Sequence, residues 1–263
     1  MRASLARTVP SLTPTLASIS PLRLTPRRAP LRKYTMAPPA RPHITLYVDV
    51  VSPFAYQAYH ILRTDPLFHP LTKTYIPIFL GGLMHKCGNT APMRIANKDK
   101  WINAERLRWA SHFNIPISPS LPADFPPNTL PVQRALCALT NNPEGEEGQA
   151  KLIQALDALY EAYWVRSESV HQAEVLRGVL EGVFGREETE RVLSAAKMEG
   201  KTRLLENTER AFREGAFGLP WMVCTNAKGE TEGFWGVDHL GCVAEFMGLE
   251  REKAKGKGWK ALL

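Results

Sequence analysis

His43-Ile-Thr-Leu-Tyr-Val-Asp-Val-Val51, followed at once by Ser52-Pro-Phe-Ala55, places a hydroxyl where a strand turns into a helix. Ile44, Leu46, Val48 and Val50, with Tyr47 and Val51 between them, have the pattern of a mostly buried strand. Ser52 then suits an N-cap and Pro53 the first helical position, where a missing N–H costs nothing. Phe54, Ala55, Tyr59, Ile61 and Leu62 continue at helical spacing. A helix N-terminus gathers unpaired N–H groups and positive partial charge, so an anion beside Ser52 is stabilised before any side chain acts. Two uses of the serine stay open on this stretch: an ordinary cap, or a group that acts on such an anion.

Ala216-Phe-Gly-Leu-Pro-Trp221 leads into the strand-like Met222–Thr225, a turn at Asn226-Ala-Lys-Gly229 and a second short run from Thr231 to Trp235. Two short runs about a Lys-Gly turn predict a β-hairpin. A proline at a strand entrance marks an edge or a special turn, and a cis bond there is a deliberate local feature. Strand–helix–strand, then an X-Pro, a hairpin and a last helix predicted over Asp238–Met247, is the element order of a thioredoxin fold. In that fold the start of the first helix faces the cis-proline.

Four pieces in this order carry a closer likeness: Asp49-Val-Val-Ser-Pro-Phe54, Gly81-Gly-Leu-Met84 with Gly88-Asn89, Gly215-Ala-Phe-Gly-Leu-Pro220, and Trp235-Gly-Val-Asp238. Together they resemble the kappa-class glutathione transferases, relatives of the DsbA oxidoreductases and of the 2-hydroxychromene-2-carboxylate isomerases. The likeness spans about residues 43 to 250. It implies an α/β architecture of DsbA type, a thioredoxin fold split by a large helical insertion.

Positions 52 and 55 are Ser and Ala, so neither thiol of a redox CxxC is present and disulfide exchange at this site is excluded. A nucleophilic serine needs a base and an orienting group. No histidine adjoins Ser52 in sequence, and there is no Gly-x-Ser-x-Gly elbow. Donation to a thiolate remains. Lowering a thiol pKa by two units from about 8.5 takes about 2.7 kcal/mol, within reach of one hydrogen bond to an anion plus the helix dipole. The resemblance implies that glutathione brings that thiol as a co-substrate, with no other cofactor and no metal.

The resemblance also implies the rest of the glutathione site. Ser52, Pro53 and Phe54 hold the thiol end, and the backbone of Leu219, before Pro220, pairs with the tripeptide as an added strand. Asn89 and Lys98 meet the glycyl end, and Asp238 the γ-glutamyl ammonium. Here Val237-Asp238 stands where the family usually has Ser-Asp. One donor to the γ-glutamyl carboxylate is thereby lost, unless a main-chain N–H at the start of the last helix supplies it. Each residue also has a plainer use: Asp238 as a helix cap, Lys98 as surface charge, Asn89 in a turn. Cys87 is read as a buried, inert thiol near the site.

Between the two halves the sequence changes character. Trp101, Ala104, Leu107 and Ala110-Ser111 follow helical spacing up to Asn114-Ile-Pro116, and a loop with six prolines runs from Pro116 to Pro131. Apolar-periodic segments follow at about 130–141, 149–165, 171–183, 187–198 and 201–213. Leu152, Leu156, Leu159 and Tyr163 form one stripe suited to a core. The predicted organisation is a leader or disordered tail over 1–41, a first thioredoxin-fold half over 42–98, a helical insertion over 99–200, a second half over 201–250 and a C-terminal tail over 251–263. Trp101, Trp109, Phe113 and Phe125 of the insertion are expected to line the electrophile pocket.

The net charge of +7 is concentrated at one end. Residues 1–40 hold Arg2, Arg7, Arg23, Arg27, Arg28, Arg32 and Lys33 and no acidic residue; setting those seven aside leaves 26 basic against 26 acidic. A nucleic-acid role loses its electrostatic support. The acid-free, Arg- and Ser-rich leader 1–40 predicts a mitochondrial-matrix protein, although five prolines between Pro10 and Pro30 limit any amphipathic helix there. A start at Met36 would give a shorter cytosolic or peroxisomal form. Cys87, Cys137, Cys224 and Cys242 form no CxxC, which argues against a disulfide framework or a zinc site. No apolar run approaches the roughly 18 residues of a membrane span.

The expected function is conjugation of the glutathione thiolate to small electrophiles such as aryl halides, a detoxification activity. A glutathione-dependent cis–trans isomerase of the 2-hydroxychromene-2-carboxylate type stays open, as does a non-catalytic module that holds extended peptides at Leu219-Pro220. The resemblance further implies a homodimer.

Overall fold

The opening run forms β1 (His43–Val48), and α1 (Pro53–Thr64) follows it. The second strand, which the sequence implied without placing, is β2 (Thr72–Pro77), parallel to β1 with Ile44 opposite Lys73. The structure is a computed structural model and describes residues 41–139, 142–250 and 259–260. The expected leader up to residue 40, the start at Met36 and, apart from Trp259 and Lys260, the tail 251–263 lie outside the described residues.

After α2 (Leu80–Lys86) come α3 (Lys98–Phe113), α4 (Leu130–Cys137), α5 (Glu146–Tyr160), α6 (Ala173–Phe184), α7 (Arg186–Ala195) and α8 (Lys201–Arg213). The chain then returns to the sheet as β3 (Trp221–Thr225) and β4 (Thr231–Trp235) and continues into α9 (Leu240–Phe246), beyond which Trp259 is also buried in the core. β3 runs antiparallel to β1, with Leu46 opposite Met222, and β4 antiparallel to β3, giving the order β2-β1-β3-β4. This is the thioredoxin fold of DsbA type that the sequence predicted.

β1 is buried on both faces because helices cover both. Ile44, Leu46 and Val48 pack with Ile61 and Leu62 of α1 and Val243 and Ala244 of α9. Tyr47 points the other way, into a second cluster with Ile76, Leu83 of α2 and Ala211 of α8. Each aliphatic side chain fully buried this way contributes about 1.5–3 kcal/mol, so the apolar run has only this central place to go. Hydrogen bonds fasten the helical region to the Ser52 segment, among them Trp164 Nε1 donating to the Val50 carbonyl at 2.9 Å and the Tyr56 hydroxyl to that of Pro116 at 2.7 Å.

Three local expectations are corrected. The last helix begins at Leu240, because Val237–His239 forms a separate 3₁₀ turn entered through Gly236 at φ +97°. Asp238 therefore caps no helix. On α3 the inward residues are Ile102, Glu105, Arg106 and Ala110, while Trp101 is 57% exposed and Ala104 is exposed. The Arg106 guanidinium explains the rotation: it donates to the carbonyls of Ser118 and Pro119 at 2.8 and 2.9 Å, satisfying a proline-rich segment poor in N–H partners of its own. Third, α5 stops at Tyr160 and runs into a π turn, Glu161–Val165. Among the described residues no helix is long and apolar enough to cross a membrane.

Candidate active site

Ser52 is the N-cap of α1, with φ −87° and ψ 113°, and its Oγ accepts the Ala55 N–H at 3.2 Å. The capping role is therefore present, and it leaves the other one open. A hydroxyl has one proton and two acceptor lone pairs. The cap uses a lone pair, and no described acceptor takes the proton. Ser52 is 5% exposed and lines a cavity of about 840 Å³. Pro53 has no N–H, Ala55's is taken by the cap, and that of Phe54, in the first turn, has no helical carbonyl to bond. Hydroxyl and helix end thus lie at one side of the cavity.

The turn before Ser52 is held by Asp49, which the sequence showed only as the first residue of the Asp49-Val-Val-Ser-Pro-Phe54 piece. It is fully buried, and every group on it donates: Oδ1 accepts from Val51 N at 3.2 Å and Gln133 Nε2 at 2.8 Å, Oδ2 from Leu80 N at 2.9 Å. One carboxylate so fixes the starts of α1 and α2 and ties both to α4. Burial pushes its carboxyl up to about 6, against the pull of the Leu80 N–H and the other donors.

The facing wall carries the cis peptide bond Leu219–Pro220. Leu219 N–H and C=O have no hydrogen-bond partner among the described residues, whereas the Pro220 carbonyl is closed by Gly236 N at 3.1 Å. An extended ligand would find one free donor and one free acceptor there. Gly218 has to be small, since a Cβ on it would stand 2.9 Å from Trp235 Nε1. Trp235 and Phe217 pack with ring centroids 5.0 Å apart and form a partly exposed rim.

The cavity brings together every residue the resemblance pointed to: Ser52, Pro53, Phe54, Asn89, Lys98, Leu219, Pro220, Val237 and Asp238. Their side chains differ in what they have free. The Asn89 amide is largely engaged, Nδ2 donating to the Phe217 carbonyl at 2.9 Å and Oδ1 accepting from Thr90 N at 2.8 Å, so its turn-holding use is real. Lys98, the exposed first residue of α3, makes no ion pair with a described carboxylate. Val237 is 2% exposed and belongs to the core. The Asp238 side chain is 56% exposed, and its described contact is His239 Nδ1 at 3.6 Å. Its carboxylate lies so close over Gly236 that any Cβ there would collide with it. The N–H groups of Val237 and Asp238, first in their turn, have no turn carbonyl to bond.

Of the aromatic residues expected around an electrophile, Trp101, Trp109 and Phe125 line the cavity. Phe113 does not. It packs edge-on to Trp259 at 5.6 Å. Cys87 lines the cavity half-buried, with its Sγ 3.4 Å from the Ala216 carbonyl. Two contributors were missed. The Phe125–Pro126 bond is cis and brings Phe125, Pro126 and Pro127 to the cavity wall; six prolines gave no signal as to which bond. Glu105 also lines the cavity; its spacing with Trp101 and Trp109, four residues either way on one helix, could have found it. Among the described residues no His, Cys, Asp and Glu group is arranged to hold a metal ion.

The family model for a DSBA-like thioredoxin domain matches residues 43–248, and the chain belongs to that family. Within it the chain is similar to glutathione S-transferase kappa 1 of Caenorhabditis elegans, 26% identical over 220 residues, 80% of this chain and 92% of the relative. Kappa 1 of Homo sapiens is 27% identical over 213 residues, 78% of this chain and 90% of that one. Among solved structures, a 2-hydroxychromene-2-carboxylate isomerase superposes with a TM-score of 0.61 at 25% identity, covering 78% of this chain and 94% of the other. The kappa-class resemblance read from four short pieces is borne out, and with it the reading of the chain as an enzyme of that class.

Proposed function

We propose that this chain conjugates the thiolate of glutathione to small electrophiles such as aryl halides, with Ser52 donating to the sulfur. The observation that carries the proposal is the Ser52 hydroxyl, which caps α1 through a lone pair and has no described acceptor for its proton. The thiol gives its proton to solvent, the sulfur bonds to the ring carbon, and the halide leaves with the electron pair of the broken bond. Leu219 pairs with the tripeptide backbone, Lys98 and the remaining Asn89 N–H meet the glycyl carboxylate, and Asp238 takes the γ-glutamyl ammonium. With Val237 in place of a hydroxyl residue, the γ-glutamyl carboxylate falls to the N–H groups that open the 3₁₀ turn. Initial rates with glutathione on a panel of aryl halides and Michael acceptors test this. Turnover of none, with glutathione bound, would favour the peptide-holding module.

The superposition on 2-hydroxychromene-2-carboxylate isomerase supports a second reading, in which the same thiolate adds reversibly to an unsaturated substrate and is expelled after bond rotation. Isomerisation without net consumption of glutathione would select it.

Asp238→Asn should leave stability nearly unchanged, because the side chain is exposed and caps nothing. Glutathione affinity should fall by about 1–3 kcal/mol, the scale of one hydrogen bond to a charged group, and mainly in KM. Calorimetric titration measures it; parental affinity in the variant would mean that the γ-glutamyl end is held elsewhere.

A mitochondrial-matrix location and a homodimer belong to the same proposal. N-terminal sequencing of the protein from its own cells should find a start between about residues 25 and 42. An intact Met1 form outside mitochondria would reject the location, and a monomer in light scattering the dimer.

A further inference from the structure

The charged residues lining the cavity, among the described residues, are Lys98, Glu105 and Asp238. Glutathione as proposed above uses two of them, Lys98 for its glycyl carboxylate and Asp238 for its ammonium. Glu105 matches nothing on the tripeptide that those two leave over. The remaining tripeptide charge, the γ-glutamyl carboxylate, is negative like Glu105 itself.

Glu105 also lies away from the glycyl end. Along α3 it stands seven residues past Lys98, about 10 Å at the helical rise, and Trp109 is about 6 Å further. α3 thus carries aromatic cavity residues on both sides of Glu105, Trp101 before it and Trp109 after it, and Phe125 joins them in the cavity wall. Glu105 sits between the two tryptophans and is only 7% exposed. The Arg108 guanidinium pairs with its carboxylate, and because the Arg108 side chain is 56% exposed, solvent screening weakens the neutralisation that this cation supplies. A carboxylate embedded in an aromatic wall acts at a low local dielectric, where a second anion in contact is repelled far more strongly than in water.

We propose that Glu105 sets the charge class of the second substrate: the cavity takes neutral aromatic electrophiles and discriminates against those that carry a carboxylate. This rests on the transferase reading above. Flat arenes suit a cavity lined by Trp101, Trp109 and Phe125, while a ring-borne carboxylate would meet the Glu105 charge. The discrimination also bears on the isomerase reading, since 2-hydroxychromene-2-carboxylate is such an anion.

The test compares 4-chloro-3,5-dinitrobenzoate with its methyl ester, the kcat/KM of each divided by its uncatalysed rate with glutathione. In the parent protein the ester should be favoured on the order of 10- to 100-fold, the scale of a like-charge contact. Glu105→Gln should bring the ratio close to one, and Glu105→Asp, which keeps the charge, should retain most of the preference. Equal normalised rates in the parent would overturn the proposal without any variant, as would a preference that survives Glu105→Gln. If the parent conjugates neither compound although it binds glutathione, the transferase reading fails and the inference falls with it. Conjugation of both without discrimination removes the inference alone.

Discussion

Ser52→Ala should fold, bind glutathione and lose on the order of 10- to 1000-fold in kcat, the range seen when one charge-stabilising donor is removed. The hydroxyl has one duty in the structure and a second, separable one in the proposed mechanism. Its lone pair caps α1 at Ala55 N, and its proton has no described acceptor. Losing the cap costs about 1 kcal/mol. That lowers the melting temperature by a few degrees in a chain of this size, roughly 2–4 °C, and leaves turnover per folded molecule untouched. Losing the donor acts on the sulfur instead. The pKa of bound glutathione, followed by thiolate absorbance against pH, should rise by about one to two units, matching the stabilisation of about 1.4 kcal/mol per unit that disappears. Ser52→Thr keeps the hydroxyl and should retain both properties. A Ser52→Ala protein with parental kcat and an unmoved thiol pKa would reduce Ser52 to a helix cap.

The fold was legible where local chemistry and the global path agree. The apolar run into Ser52-Pro53 could only be a central strand meeting a helix, and Leu219-Pro220 before a Lys-Gly turn could only open a hairpin. What stayed hidden depends on partners far off in the chain. Asp49 gave no sign of its structural role, because the donors Leu80 N and Gln133 Nε2 lie 31 and 84 residues away. The inward face of α3 was misjudged because the apolar spacing of Trp101, Ala104 and Leu107 is outweighed by Arg106 reaching two loop carbonyls. Asp238 has the residue type of a cap, but the left-handed φ of Gly236 and the 3₁₀ turn move the helix start two residues past it. Periodicity reports burial against a neighbour; it does not report hydrogen bonds made across the fold.

Asp49 gives the second large effect, on stability and its pH dependence. Its carboxyl titrates near 6 in the folded protein against 3.8 as a free side chain, so the native state holds the proton more tightly than the unfolded chain. The Asp49 contribution is therefore greatest below pH 4 and is lost as pH rises through about 6, by roughly 3 kcal/mol in all. Asp49→Asn removes this titration but creates another fault. All three groups on the carboxylate are donors, and an amide has only one acceptor oxygen. Gln133 can turn its own unpartnered Oε1 toward the new NH₂, but Val51 N–H and Leu80 N–H cannot both keep an acceptor. One buried N–H left bare costs about 1–3 kcal/mol. Both belong to segments lining the cavity, so glutathione turnover should fall as well. Denaturant unfolding of parent and variant across pH 4 to 7 separates the two effects. The parent's advantage over Asp49→Asn should be largest at pH 4 and shrink steadily toward pH 7, because the charge that burial disfavours appears only in the parent. A difference that stays constant over that range would mean that Asp49 does not change its protonation there, and that its role in placing Ser52 rests on hydrogen bonds alone.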